Sequence, residues 1–184
     1  MRITGGTLLT MRDGAVPAVG DLGIVGDRIV ANGQGEVIDA TGCYVMPGLV
    51  QTHIHLVQTI FRGLAEDLSL LEWLRTRIWP LEGAHDEGSL RATARLGLLD
   101  LLTTGTTTIL DMGTTNGGDV IAEELLASGI RARFGQAMMD AGHGVPPVLQ
   151  ETTQGSLDAS LALATRRDGA GDGRLGYAFA PRFA

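Results

Sequence analysis

His53-Ile54-His55 is the strongest chemical signal in the sequence. In a β-strand, side chains at i and i+2 leave the same face. Two imidazoles at that spacing can converge on one ion, and neutral imidazole suits zinc and iron. Ile54 then turns the other way, toward a core. The same spacing also arises in two hydrogen-bonded histidines that hold no metal. His85 and His143 fall in connecting segments and read as solvated loop residues. Glu82 follows Trp79-Pro80-Leu81, and Arg182-Phe183 follows Ala180-Pro181. By residue type alone, Glu82 is an exposed carboxylate just past a helix end and Arg182 a salt-bridged arginine at a strand end. Asp111 closes an apolar run and reads as a structural carboxylate or one that steadies a ligand. Met139, with Asp140, reads as a core residue rather than a pocket floor, and Trp73 and Trp79 as packing of the helical region rather than stacking on substrate.

These side chains must be positioned by short, glycine-punctuated elements. Residues 1–46 form a small β module, in which Gly26-Asp27 sits between two apolar runs as a hairpin turn. A module of that size buries little apolar surface by itself. From residue 47 onward strands and helices alternate. Residues 49–53 read as a strand. A helix is expected over 69–79, with Ser69 as N-cap, Glu72 at the capping-box position and Pro80 as its stop. A longer helix over 86–103 carries Leu90, Ala94, Gly97, Leu98 and Leu101 at helical spacing and ends at Gly105. Strands follow over 106–111, 130–139 and 175–179, with helices over 119–128, closed by Gly129, and 156–166.

That alternation predicts a parallel sheet with helices outside it. An open doubly wound sheet and a (β/α)8 barrel both fit, but no G-x-G-x-x-G turn follows the first strand. Four strands over residues 47–184 is the pace of half a barrel. The chain is therefore expected to be the N-terminal portion of a longer protein.

Composition narrows the function classes. The 184 residues carry 14 Lys+Arg against 21 Asp+Glu, a net charge of −7. Such a chain is a poor candidate for phosphate-backbone binding, which needs a basic face. All 14 cations are arginine, so Schiff-base, P-loop and metal-bridging lysines are excluded within these residues. One cysteine, Cys43, rules out an internal disulfide and Cys-based zinc knuckles. No apolar run approaches the roughly 18 residues of a membrane span, and no signal peptide is apparent. The expected compartment is the cytoplasm.

Val45-Met46-Pro47-Gly48-Leu49-Val50-Gln51-Thr52-His53-Ile54-His55 strongly resembles the first-strand motif of the amidohydrolase superfamily. Arg62-Gly63-Leu64-Ala65-Glu66-Asp67-Leu68, Leu71-Glu72-Trp73-Leu74 and Ile78-Trp79-Pro80-Leu81-Glu82 look like its deaminase and chlorohydrolase branch. That branch includes methylthioadenosine/S-adenosylhomocysteine, guanine and 8-oxoguanine deaminases and s-triazine hydrolases. The resemblance implies an α/β fold: the N-terminal half of a (β/α)8 barrel (47–184) preceded by a partial β-sandwich module (1–46). It implies one divalent metal, zinc or alternatively iron, with His53 and His55 as the first two ligands. The remaining ligands and the proton-shuttling glutamate of the family do not map here, so no catalytic proton carrier is assigned within this chain.

The resemblance also implies a metal-dependent aminohydrolase acting on a purine-like, nucleoside-like or triazine ring. A dechlorinating or ring-opening hydrolase, or a non-catalytic half-barrel subunit, is the alternative. Glu82 is the position that accepts ribose hydroxyls in nucleoside-deaminating relatives. Arg182 and Phe183 resemble the Pro-Arg-Phe of guanine deaminase-like members, which bind a base carbonyl and the ring. The expected partners are a small heterocyclic substrate and further copies of the chain in a homo-oligomer, with neither nucleic acid nor membrane.

Overall fold

A computed structural model describes residues 1–64 and 67–182. Phe183, which the sequence reading assigns to substrate, and Glu66 lie outside the described residues. The chain divides into two units, Met1–Gly48 and Leu49–Ala184.

The first unit is a five-stranded sheet. Strands β1 (Arg2–Leu8), β2 (Ala18–Val25) and β3 (Arg28–Val30) form an antiparallel meander, turning at Gly26-Asp27 as expected. Strands β4 (Val37–Asp39) and β5 (Tyr44–Val45) both pair parallel to β1.

The second unit is built on a curled parallel sheet of β6 (Leu49–Ile54), β7 (Thr106–Thr114), β8 (Arg131–Met138), β9 (Leu175–Tyr177) and β10 (Ala180–Pro181). The order is β6-β7-β8, with β9 and β10 successively along the far edge of β8, all parallel. Crossovers through helices produce this direction, because a parallel neighbour cannot be reached by a tight turn. The helices are α3 (Glu87–Thr103), α4 (Gly118–Ser128) and α5 (Thr153–Arg167).

Local signals account for the helix ends. Asp86 caps α3 by accepting from Ser89 N, and the Ser89 hydroxyl accepts from Asp86 N, a reciprocal pair worth about 1 kcal/mol. Gly129 ends α4 in the left-handed conformation at φ 79°. The apolar stripe of α3 buries Leu90, Ala94, Gly97 and Leu98 in a core shared with Ile109, Ile121, Leu125 and Phe134. On the outer side Arg91 and Arg95 clasp Glu124 of α4, whose side chain is only 7% exposed. Arginine forks suit such shared carboxylates better than an ammonium would.

Two expectations fail in the helical run after β6. Ser69 makes no side-chain cap, so the capping box with Glu72 does not form. Pro80 does not end the helix. The run continues from α1 (Leu70–Trp73) through a π-helical turn (Leu74–Ile78) into α2 (Trp79–Gly83). Trp79 N reaches back to Leu74 O, and Pro80 then falls in the first turn of α2, where no N–H is required. The widened turn relieves the conflict that a proline creates inside a regular helix. Leu74, Ile78 and Trp79 pack with Phe61, Met139, Val145 and Leu149 in a second core cluster.

Candidate metal and substrate site

β6 delivers His53 and His55 to the C-terminal end of the first parallel strand, with Ile54 packed against the main core. The two rings lie side by side, centroids 5.1 Å apart and inclined by 73°. His53 is exposed and His55 half-buried. Burial, and then the nearby Arg182 guanidinium, push the His55 imidazole down to about 4, against the pull of Glu82. His55 is therefore neutral at pH 7, the form that ligates metal. Among the described residues no third His, Cys, Asp or Glu joins the two rings. The donor set thus fits part of a zinc or iron shell, which needs at least one more protein ligand.

Immediately after His55 the chain winds into a 3-10 turn, Leu56–Phe61. Asp111 of β7, 1% exposed, accepts from Leu56 N at 2.9 Å. Burial pushes its carboxyl up from 3.8 to about 6, against backbone hydrogen bonds from Leu56 and Gly113. Its second oxygen, Oδ2, is buried without a partner. Asp111 is thus a core carboxyl beneath the turn that follows the histidine pair.

Glu82 and Arg182 are both buried and joined, Arg182 Nη1 donating to Glu82 Oε2 at 2.8 Å across 100 residues of sequence. Gln58 Nε2 donates to the other oxygen, Oε1, at 2.8 Å. The picture of Glu82 as an exposed carboxylate is therefore wrong: on α2 it is buried against Arg182, which follows β10. Arg182 is salt-bridged, and its partner is the other residue assigned to substrate. The two clues that pointed to different substrates belong to one cluster.

His85 is not a solvated loop residue. Its Nε2 donates to Val57 O at 2.9 Å, Nδ1 lies 3.0 Å from Ser89 Oγ, and the ring stacks on Phe61. His143 is exposed, as expected. Met139 is fully buried in the second core cluster, while Asp140 is exposed and accepts from Thr153 Oγ1. Sequence reasoning missed Gln58 altogether. The available signal was an amide in a mostly apolar turn, Leu56 to Phe61, whose one other polar residue is Thr59.

The fold is a parallel half-barrel whose polar cluster gathers at the strands' C-terminal ends, the rim where (β/α)8 proteins build active sites. The chain belongs to the amidohydrolase family, whose model matches residues 44–184. It is 37% identical over 190 residues to a 5-methylthioadenosine/S-adenosylhomocysteine deaminase of Halobacterium salinarum, covering 98% of this chain and 41% of that protein. Among solved structures it is similar to E. coli guanine deaminase, with a TM-score of 0.73, 36% identity, and coverage of 81% of this chain and 34% of that one. It is also similar to an adenosine deaminase from Xanthomonas campestris with bound Zn, with a TM-score of 0.81, 25% identity, and coverage of 98% and 42%. The chain spans between about a third and two fifths of the length of these relatives. The family is generally metal-dependent. Among the described residues no helix is long and apolar enough to cross a membrane.

Proposed function

We propose that the whole protein is a metal-dependent aminohydrolase that removes an amino group from a purine-like, nucleoside-like or triazine heterocycle. The observation that carries this reading is the side-by-side pair His53 and His55 at the rim, with the His55 ring held neutral by burial. In this reading the two imidazoles hold one divalent ion, zinc or iron. When bound, the ion supplies Lewis acidity and lowers the pKa of water to about 7.

The chain's own residues bind and orient. Arg182 keeps N–H donors beyond the one given to Glu82, and these meet a carbonyl oxygen on the ring. Glu82 has lone pairs beyond those used by Arg182 and Gln58, which accept from a substrate hydroxyl or ring N–H. Phe183 is the proposed contact to the ring, by its resemblance to the Pro-Arg-Phe of guanine deaminase-like members. Similarity to deaminases of adenosine-like substrates and of guanine supports the heterocycle class. Further copies of the chain are the proposed partners, as a homo-oligomer, and the cytoplasm is the proposed compartment.

The test is ammonia release by the whole protein from 5-methylthioadenosine, S-adenosylhomocysteine, adenosine, guanine and 8-oxoguanine, before and after chelation. Turnover should vanish on metal removal, return with zinc or iron, and be absent in His53→Ala. Undiminished turnover by metal-stripped protein or by His53→Ala would overturn the assignment.

A further inference from the structure

The turn after His55 is gripped from β7, from α3 and from the segment that precedes α3. Leu56 N donates to Asp111 Oδ1 on β7. Leu56 O accepts from Thr93 Oγ1 on α3 at 3.0 Å and from Thr59 Oγ1 at 2.9 Å. Thr93 Oγ1 also accepts from Ile60 N at 3.1 Å, and Val57 O accepts from His85. Leu56, Val57 and Thr93 are essentially inaccessible to solvent.

The Leu56 N–H belongs to the peptide unit that carries the His55 carbonyl. Holding that peptide plane fixes ψ of His55, which stands at 88° with φ at −132°, short of regular strand geometry. The ladder to β7 fixes the strand up to Ile54, opposite Asp111 itself. One residue of β7 thus sets both sides of the backbone from which the His55 ring projects. A core position needing only packing would hold an apolar side chain. A fully buried carboxyl with one oxygen unpartnered is unfavourable and calls for an explanation.

We propose that Asp111 is the positioning residue of the histidine pair: by gripping the His55–Leu56 peptide it sets the angle at which His55 meets its ion. Thr93 completes the grip from the opposite side of the same residue. The proposal rests on the reading of His53 and His55 as metal ligands.

The test is cobalt(II) affinity, by competition with a chelating indicator, and the cobalt d–d spectrum in the whole protein. Asp111→Ala should weaken cobalt binding about 10- to 100-fold and alter the d–d bands, the range seen when groups supporting ligands are removed. Asp111→Asn keeps an acceptor oxygen toward Leu56 N and should stay within about threefold of wild type. Leu125→Ala, a core truncation on α4, should lower thermal stability while leaving cobalt affinity unchanged. Wild-type affinity in Asp111→Ala, a loss in Asp111→Asn as large as in Asp111→Ala, or an equal loss in Leu125→Ala would overturn the positioning role. If Asp111→Ala does not fold, Thr93→Val carries the test, with a loss of severalfold expected and wild-type affinity refuting. His53→Ala, run alongside, separates the two claims. Unchanged cobalt affinity there sinks the metal reading itself, whereas a loss there with none in Asp111→Ala sinks only this proposal.

Discussion

Neutralising one member of the Glu82–Arg182 pair should damage the protein more than removing both. The side chains are 5% and 8% exposed, with N and O 2.8 Å apart. At an effective dielectric constant of about 20, their attraction is about 6 kcal/mol. Much of that offsets the desolvation of two charges, so the net worth of the pair is small. Glu82→Gln leaves a buried guanidinium uncompensated, and Arg182→Met leaves a buried carboxylate. Each single variant should lose about 3–5 kcal/mol, while the double variant should lose less than either single, which requires a recovery of at least about 3 kcal/mol of the summed loss. Urea unfolding of all four proteins closes the cycle. The same variants should depress kcat/KM on ribosylated and oxopurine substrates alike, because each residue holds the other in place. Single losses below about 1 kcal/mol that add within about 0.5 kcal/mol would refute the coupling. So would clean separation by substrate, with Glu82→Gln harming only ribosides and Arg182→Met only oxopurines.

Three further outcomes follow from particular contacts. Because the Asp111 carboxyl rises from 3.8 to about 6 on folding, the folded state holds a proton that the unfolded chain releases between those values. Stability from this group should therefore fall as pH rises from about 4 to about 6, by about 3 kcal/mol, and level off above; an Asp111→Asn difference curve that is flat over that window would contradict it. Gly113 sits at φ 69°, and a Cβ there would collide with the Gly135 carbonyl, so Gly113→Ala should lose more than about 3 kcal/mol in thermal unfolding, and a shift near zero would refute the β7–β8 geometry. Pro80→Ala should stay within about 1 kcal/mol of wild type by the same measurement, because the ring occupies a first-turn position and closes nothing; a large loss would restore Pro80 as a helix stop.

The βα alternation was legible because periodicity, caps and turn glycines are local properties. Apolar spacing over residues 86–103 located α3, Asp86 and Gly105 bounded it, and the β-branched run at 106–110 announced a buried strand. Parallel pairing of residues 49–52 with β7 followed from the crossovers, and the i, i+2 rule placed both histidines on one face. The Pro80 error was also local in kind. A proline breaks a regular helix, but the π turn before it is stabilised by packing of Leu74, Ile78 and Trp79, which no propensity encodes.

What only the tertiary structure decided is which polar groups meet. Glu82 and Arg182 are 100 residues apart, Leu56 and Asp111 55 apart, and His85 reaches back 28 residues to Val57. Each of these meetings depends on strand register and helix docking, so residue types alone left Glu82 exposed, Arg182 without a named partner and His85 in solvent. Burial then did the chemistry: it joined two supposed substrate contacts into one ion pair, kept His55 neutral, and raised Asp111 beneath the turn that carries the pair. The sequence by itself determined the kinds of groups and the strand that presents the histidines; the folded sheet determined their partners, because desolvation and hydrogen bonding depend on neighbours in space rather than along the chain.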